Sequence, residues 1–331
     1  MAAQARPARR TDLESAGMRE EDSVPTPAPA RFVSGFVSIL GRPNAGKSTL
    51  LNQLTGTKLA IVADKPQTTR TTIQGVLTEP EGQVVFLDTP GIHYADSAYN
   101  RRMMEAVKAA LDQRDLLILV VDATVPFSRA DREAVDLVAR AGAPTMLVLN
   151  KIDLLKNKSV LLPLIAQYRS LHDFTDYLPV SAKKGESLDK LRQIIFTHLP
   201  EGPLYFPEDH ITDQPERFLA AELVREKLLH LTRHEVPHAI AVIIDQWQET
   251  PRLTRIVATI YVEKDGQKAI VIGAGGSVLK NAGTLAREEM ERLFGVKIFL
   301  QLNVKVRAAW RENPVFLNAL DWRTMAGTDE T

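Results

Sequence analysis

The sequence predicts two folded domains in tandem: an α/β domain with a mostly parallel sheet and helices on both faces, then a smaller α+β domain. Three observations carry this. From Phe36 to about Leu199, short continuously apolar runs alternate with segments of helical period, the pattern of parallel strands buried on both faces. Three prolines between Pro200 and Pro207 then break the pattern, as an extended linker does. Beyond the break the order becomes helix, strand, strand, helix, strand, a mixed rather than alternating class. A chain of 331 residues is long enough for two cores.

Taken in order, residues 1–34 form a leader of low hydrophobicity. It carries balanced charge and ends in the alternating Pro25, Pro27 and Pro29. Such a segment buries too little apolar surface to offset its ordering entropy, so a disordered leader is expected. It has no apolar run of the secretory kind, and its acids argue against a transit peptide. The α/β domain occupies 35–199. Its strands are expected at Phe36–Leu40, Val84–Leu87, Leu116–Val121, Thr145–Leu149 and Tyr177–Val180, with helices such as Met103–Leu111 and Ala130–Ala141 between them. Residues 200–214 form the linker. Pro215 opens a helix reaching about Arg233. Strands Ala239–Trp247 and Arg255–Glu263, a glycine cluster Gly273–Gly276, helix Ser277–Phe294 and strand Val296–Val306 complete a second domain over 215–320, followed by a flexible tail.

Hydrophobic content of 44% and charged content of 25% match an ordinary globular chain. There is no cysteine, which excludes disulfides, thiolate metal sites and a cysteine nucleophile. No run of about 18 apolar residues is present.

The chemistry begins at Gly41-Arg-Pro-Asn44-Ala45-Gly46-Lys47-Ser48, a complete GxxxxGK[ST] between a predicted strand and a predicted helix. Glycines let the chain curl so that several N–H groups face one anion, and the helix N-terminus adds positive partial charge. Lys47 is placed to bridge terminal phosphates and Ser48 to ligate Mg²⁺; Thr49 follows at the helix start. Three further motifs follow later strands. Asp88-Thr-Pro-Gly91 offers a water-mediated contact from Asp88 to Mg²⁺ and an N–H at Gly91 for a γ-phosphate. In Asn150-Lys151-Ile-Asp153, the Asp153 carboxylate accepts from guanine N1–H and N2–H₂, donors that adenine lacks. Asn150 tethers the loops, and the Lys151 stem lies along the base. In Ser181-Ala182-Lys183, the Ala182 N–H is expected at guanine O6. Each later motif is weak alone, but four on one sheet edge in this order specify a P-loop GTPase domain binding GTP and GDP. Between the first two lies Gln67-Thr68-Thr69-Arg70. Thr69 is expected to complete Mg²⁺ coordination when the γ-phosphate is present, with Thr68 as the alternative. The adjacent Lys65 and Arg70 suggest a mobile, polar loop.

These motifs resemble the translation-factor-related GTPases that carry Gly-x-Pro-Asn-x-Gly-Lys-Ser. In Ras-like enzymes a glutamine after Asp-x-x-Gly orients water; here that position is Ile92, and His93 beside it reads as a loop histidine. The resemblance implies that Asn44 helps hold a potassium ion and that intrinsic turnover is slow.

In the second domain, Gly273-Ala274-Gly275-Gly276 carries the Gly-x-x-Gly of a KH domain, here the type II order. Such a loop grips single-stranded RNA. With the linker Leu199–Asp209, the segment Arg217–Lys227, Glu235-Val-Pro-His238, Ile260–Lys264 and Gln267-Lys268, the chain from about Gly35 to Leu320 is similar to the bacterial Era family. That resemblance implies a GTPase that binds the 3′ end of 16S rRNA and the 30S subunit or its precursor. It also implies a monomer in the cytoplasm, with peripheral contact to the inner face of the membrane. The family usually has a lysine where Ala274 stands, so RNA contacts would fall to backbone N–H groups with Lys268, Lys280, Lys297, Lys305 and Arg307.

Lysine plus arginine and aspartate plus glutamate both number 41, a neutrality that seems unsuited to a nucleic acid. The balance is local, however: residues 264–311 hold nine bases against four acids, favouring a small RNA site over a broad duplex grip. Rival readings are weaker. A P-loop kinase gives no reason for Asn150-Lys-Ile-Asp153, and a double-GTPase chain needs a second phosphate loop. A second domain devoted to protein or membrane contacts is the alternative, but no basic amphipathic helix stands out.

Overall fold

The computed structural model describes residues 31–65, 67–92, 97–112 and 114–322. Most of the leader and the tail from 323 lie outside them, as does His93. The first domain runs β1 (Val33–Gly41), α1 (Lys47–Thr55), β2 (Ile73–Glu79), β3 (Gly82–Asp88), α2 (Ala98–Asp112), β4 (Leu116–Asp122), α3 (Arg129–Ala141), β5 (Thr145–Asn150), α4 (Leu161–Arg169), β6 (Asp176–Pro179) and α5 (Leu188–His198). Its six-stranded sheet has the order β2-β3-β1-β4-β5-β6. Only β2 is antiparallel, paired with β3 through Ile73↔Asp88 to Glu79↔Gly82. Alternate residues of each central strand feed two cores. Ile118 and Val120 pack with Leu50, Leu54 and Ile195 on the α1 and α5 face. Leu117, Leu119 and Val121 pack with Val107, Val135 and Tyr168 on the face of α2, α3 and α4. A strand with apolar side chains on both sides has nowhere else to put them, which is why these runs read as continuous.

The second domain runs α6 (Glu216–Leu231), the short α7 (Val236–Ala239), β7 (Ala241–Thr250), β8 (Leu253–Val262), α8 (Asp265–Ile272), α9 (Ser277–Phe294), β9 (Ile298–Val306) and α10 (Pro314–Ala319). β7 pairs antiparallel with β8, and β8 pairs parallel with β9. Helices α6 and α9 cover one face through Leu223, Val224, Ala282, Ala286 and Met290. Helix α8 is an addition to the element order expected from sequence, and with α9 it flanks the glycine loop.

Residues 200–214 belong to no helix or strand, yet they are tied down. Ser34 N–H donates to the Pro200 carbonyl at 3.0 Å, and Val76 N–H to the Ile211 carbonyl at 2.8 Å. The fully buried Gln83 clamps the passage between them: its Oε1 accepts from Tyr205 and Phe206 N–H at 2.8 and 2.9 Å, and its Nε2 donates to the Phe206 carbonyl. A second junction joins α2 to the end of the chain. Tyr99 and Met103 pack with Trp310, Phe316 and Leu317, and Arg102 bonds Asp321 at 2.9 Å. Asp321, assigned from sequence to the tail, is therefore held in place.

Candidate functional site

Parallel strands bring their carboxyl ends to one edge, and the four nucleotide motifs meet there. They line one cavity of about 500 Å³ that includes Asn44, Gly46, Lys47, Ser48, Thr49, Thr68, Thr69, Gly91, Asn150, Lys151, Asp153, Ala182 and Lys183. That size suits a nucleotide. Gly46 adopts φ +97°, and a Cβ on it would meet Asn150 Nδ2 at 2.2 Å. Only glycine satisfies both constraints. The close approach has a purpose, since Asn150 Nδ2 donates to the Ala45 carbonyl at 2.9 Å and staples β5 to the phosphate loop.

The phosphate end is organised around two buried, opposite charges. Lys47 Nζ donates to the Gly41 and Arg42 carbonyls at 3.1 and 3.0 Å. Burial lowers its ammonium to about 8, with Asp88 pulling the other way. Burial raises the Asp88 carboxyl to about 6, opposed by Lys47 and by hydrogen bonds from Ser48 and Thr69. Ser48 Oγ donates to Asp88 Oδ2 at 2.6 Å and lies 2.7 Å from Thr69 Oγ1. Asp88 Oδ1 is buried and has no hydrogen-bond partner among the described residues. Two hydroxyls and a carboxylate with an unused oxygen form the kind of oxygen donor set that Mg²⁺ prefers. Thr68 Oγ1 instead donates to the Lys65 carbonyl at 2.6 Å, whereas the Thr69 hydroxyl meets Ser48 and Asp88.

The base end is equally specific. Asp153 Oδ1 accepts from Ser181 Oγ at 2.6 Å, which sets the carboxylate. Lys151 stands at φ +67° and bonds Asp122 Oδ2 at 2.6 Å, a partner not foreseen from sequence. One expectation needs correction. The Ala182 N–H, expected free for guanine O6, donates to Asn150 Oδ1 at 2.9 Å.

A second correction concerns the loop before β2. Arg70 is not a mobile polar residue. Its Nη1 donates to the Ile240 carbonyl at 2.6 Å, and its guanidinium lies 5.4 Å from the Tyr99 ring centre and 5.8 Å from that of Trp310. Burial lowers its pKa to about 10, which leaves it charged at neutral pH. His230 of α6 also lines the nucleotide cavity, and nothing in the sequence marked it.

In the second domain, Gly276, Lys280 and Arg287 of the loop and α9 face Leu300 and Leu302 of β9 across a groove of about 370 Å³. The groove has a basic rim and an apolar floor, a surface on which unstacked bases can pack. Gly273, Gly275 and Gly276 all have positive φ, while Ala274 does not, and Ala274 is exposed. A side chain is therefore allowed at that one place in the loop. Lys268 sits on α8 and Lys305 at the end of β9. Arg307 is stacked 4.5 Å over Phe316. Lys297 stands apart: it follows the carboxyl end of the 18-residue α9, about 27 Å of helix from the glycine loop, and pairs with Glu291 at 3.5 Å.

Fold and site together define a P-loop GTPase that carries a KH domain. The family model for 50S ribosome-binding GTPases matches residues 36–151, and a KH-domain model matches 235–311. GTPase Era of Geobacter metallireducens is 47% identical over 293 residues, covering 88% of this chain and 98% of that one. GTPase Era of Heliobacterium modesticaldum is 48% identical over 287 residues, covering 86% and 96%. Two solved Era structures superpose with TM-scores of 0.85 at 40% identity, each covering 88% of this chain and 99% of the other. One is an Aquifex aeolicus Era variant bound to GDP and AlF₄⁻; the other is Era with MgGDPNP and nucleotides 1506–1542 of 16S ribosomal RNA. The chain belongs to the Era family of GTPases.

The raised Asp88 pKa gives a pH prediction. Mg²⁺ needs the carboxylate form, which the metal-free protein disfavours below about 6. Mg²⁺-dependent GDP affinity is expected to rise with pH through about 6 and level off above it. Titrating Mg²⁺ from pH 5 to 8 checks this, and in Asp88→Asn the step should vanish.

Proposed function

We propose that this GTPase is a nucleotide-controlled RNA switch. Its KH groove takes the 3′ end of 16S rRNA, and the chain assists maturation of the 30S subunit. The observation that carries the proposal is the groove between the glycine loop, α9 and β9, on a domain bonded directly to the loop bearing Thr69. The Era structure solved with 16S rRNA nucleotides supports the choice of RNA.

Hydrolysis is in-line attack of water on the γ-phosphorus: a water oxygen–phosphorus bond forms as the bond to the β,γ-bridging oxygen breaks, GDP leaves with that oxygen, and the proton of the water passes to the phosphate. With nucleotide bound, Lys47 would hold the β- and γ-phosphates, the Gly91 N–H would meet the γ-phosphate, and Thr69 and Ser48, with Asp88, would hold Mg²⁺. The metal supplies positive charge where negative charge moves in the transition state. Ile92 packs among apolar side chains and can neither donate nor accept, so no side chain at that position orients the water. Asn44, at the mouth of the phosphate loop, is assigned to a potassium ion that adds to the charge. Turnover is accordingly slow until a partner acts. The protein works as a monomer in the cytoplasm, with part of it resting on the inner membrane face.

Filter binding with an RNA ending in the 16S 3′ sequence tests the RNA assignment, against a shuffled RNA of equal length. Preference for the native sequence is expected. Equal or absent binding would favour a protein- or membrane-contact role for this domain. Ala274→Lys should tighten binding severalfold at low salt and steepen the salt slope by about 0.7, the value for one added phosphate contact on a single strand.

A further inference from the structure

The loop that carries Thr69 is held from outside its own domain. Helix α6 of the KH domain presents Arg225 and Glu226, only 1% and 2% exposed. Glu226 Oε1 accepts from the Val62 N–H at 2.8 Å, and Arg225 Nη2 donates to the Thr68 carbonyl. The two contacts bracket the loop, one at its entry and one immediately before Thr69. Just beyond Thr69, Arg70 is fastened to the Ile240 carbonyl at the head of β7.

Both α6 side chains are fixed in turn. Glu222 takes Arg225 at 2.7 and 2.6 Å, and Lys58 and Lys227 each reach Glu226 at 2.7 Å. Within the α/β domain, the Thr69 hydroxyl lies 2.7 Å from Ser48 Oγ and 3.4 Å from Asp88 Oδ2. A planar peptide links residues 68 and 69, so fixing the Thr68 carbonyl restricts the plane from which the Thr69 side chain departs. Charged groups this deeply buried are costly to leave unpaired, which makes the two contacts persistent.

We propose that Arg225 and Glu226 are positioning residues of the GTP site. Neither touches the reacting atoms. Helix α6 sets the place of the Thr69 hydroxyl, so selectivity for GTP over GDP belongs to the two-domain chain and not to the α/β domain alone. A partner that shifts α6 loosens Thr69, and GTP held through Thr69 resists that shift by the same factor. The proposal rests on Thr69 as the residue that contacts Mg²⁺ in the GTP state.

The test uses the full chain and a fluorescent non-hydrolysable GTP analogue alongside fluorescent GDP, both in Mg²⁺. Arg225→Lys and Glu226→Ala are expected to weaken the GTP analogue about tenfold, within the usual range of coupling between sites, and to leave GDP unchanged. Glu226→Gln keeps an acceptor for Val62 and should bind like the unaltered protein. Thr69→Val is the control. Equal weakening of both nucleotides, or of neither, in folded variants overturns the proposal while Thr69→Val still loses GTP. No loss in Thr69→Val overturns the metal assignment beneath it. A readout on the unaltered chain does not depend on any variant folding: hydrogen exchange at the Val62 amide should be slower with the GTP analogue than with GDP, and equal rates in both states overturn the proposal.

Discussion

Replacing Asp153 with alanine is expected to lower GTP affinity by about 100- to 10,000-fold while leaving ATP binding almost unchanged. Guanine presents N1–H and N2–H₂ to one carboxylate, and two hydrogen bonds to a charged acceptor are worth roughly 1.5–3 kcal/mol each. Adenine makes neither, so the variant loses its discrimination along with its affinity. The structure makes the effect specific to the base. Asp153 is held by Ser181, whereas the staple between β5 and the phosphate loop belongs to Asn150. Removing the carboxylate should leave that staple, and the fold, in place. Competition binding with GTP and ATP measures the ratio directly. A GTP preference that survived in Asp153→Ala would remove the guanine assignment.

Lys47→Met is the second large effect, and it separates function from stability. Lys47 is buried, and its depressed pKa means that the folded, nucleotide-free protein carries its charge at a cost. A group whose folded pKa lies below its unfolded value destabilises the fold wherever it is protonated in the unfolded chain, which covers neutral pH. An apolar side chain of similar length removes that cost. The melting temperature of the nucleotide-free variant is therefore expected to match or exceed that of the unaltered protein. GTP affinity should fall about 100-fold or more, because charge-assisted bonds to the β- and γ-phosphates are lost. Calorimetry of the nucleotide-free protein and a nucleotide titration on the same sample report both quantities. A variant that lost stability and affinity together would show Lys47 acting as a structural residue.

The parts of this molecule legible in its sequence are those encoded locally. The phosphate loop is a strand, a glycine turn and a helix start in contiguous residues, and the continuous apolar runs of β4 and β5 have no alternative but burial on both faces. Helix α9 was bounded by the glycine cluster before it and Gly295 after it. Strand β2 was missed because Ile73-Gln-Gly-Val-Leu-Thr-Glu79 interrupts its apolar pattern with Gly75 and polar residues, as an edge strand tolerates. Helix α4 carries Pro163 in its first turn, which weakens its helical pattern in the sequence. Arg70 was misread for a different reason. Beside Lys65 and two threonines it looks solvated, and what buries it is Tyr99 and Trp310, brought in from distant parts of the chain. Arg225 and Glu226 were equally silent, since charged residues on a helix give no sign of facing another domain. Local pattern thus located the nucleotide chemistry, while the links between nucleotide and second domain existed only in tertiary structure.

Those links bear on how GTP and RNA are joined. The Thr69 loop is fastened to α6 and to the head of β7, and the groove proposed for RNA is built on α9, which packs against α6. On the proposed role of Thr69, a change at the γ-phosphate would have a short, charged and buried route to the KH domain. The measurement that tests this most directly is co-sedimentation of the full-length chain with 30S particles, in GDP and in a non-hydrolysable GTP analogue. Retention with the particles in the GTP analogue and release in GDP is the predicted result; equal binding, or none, in both states would contradict it.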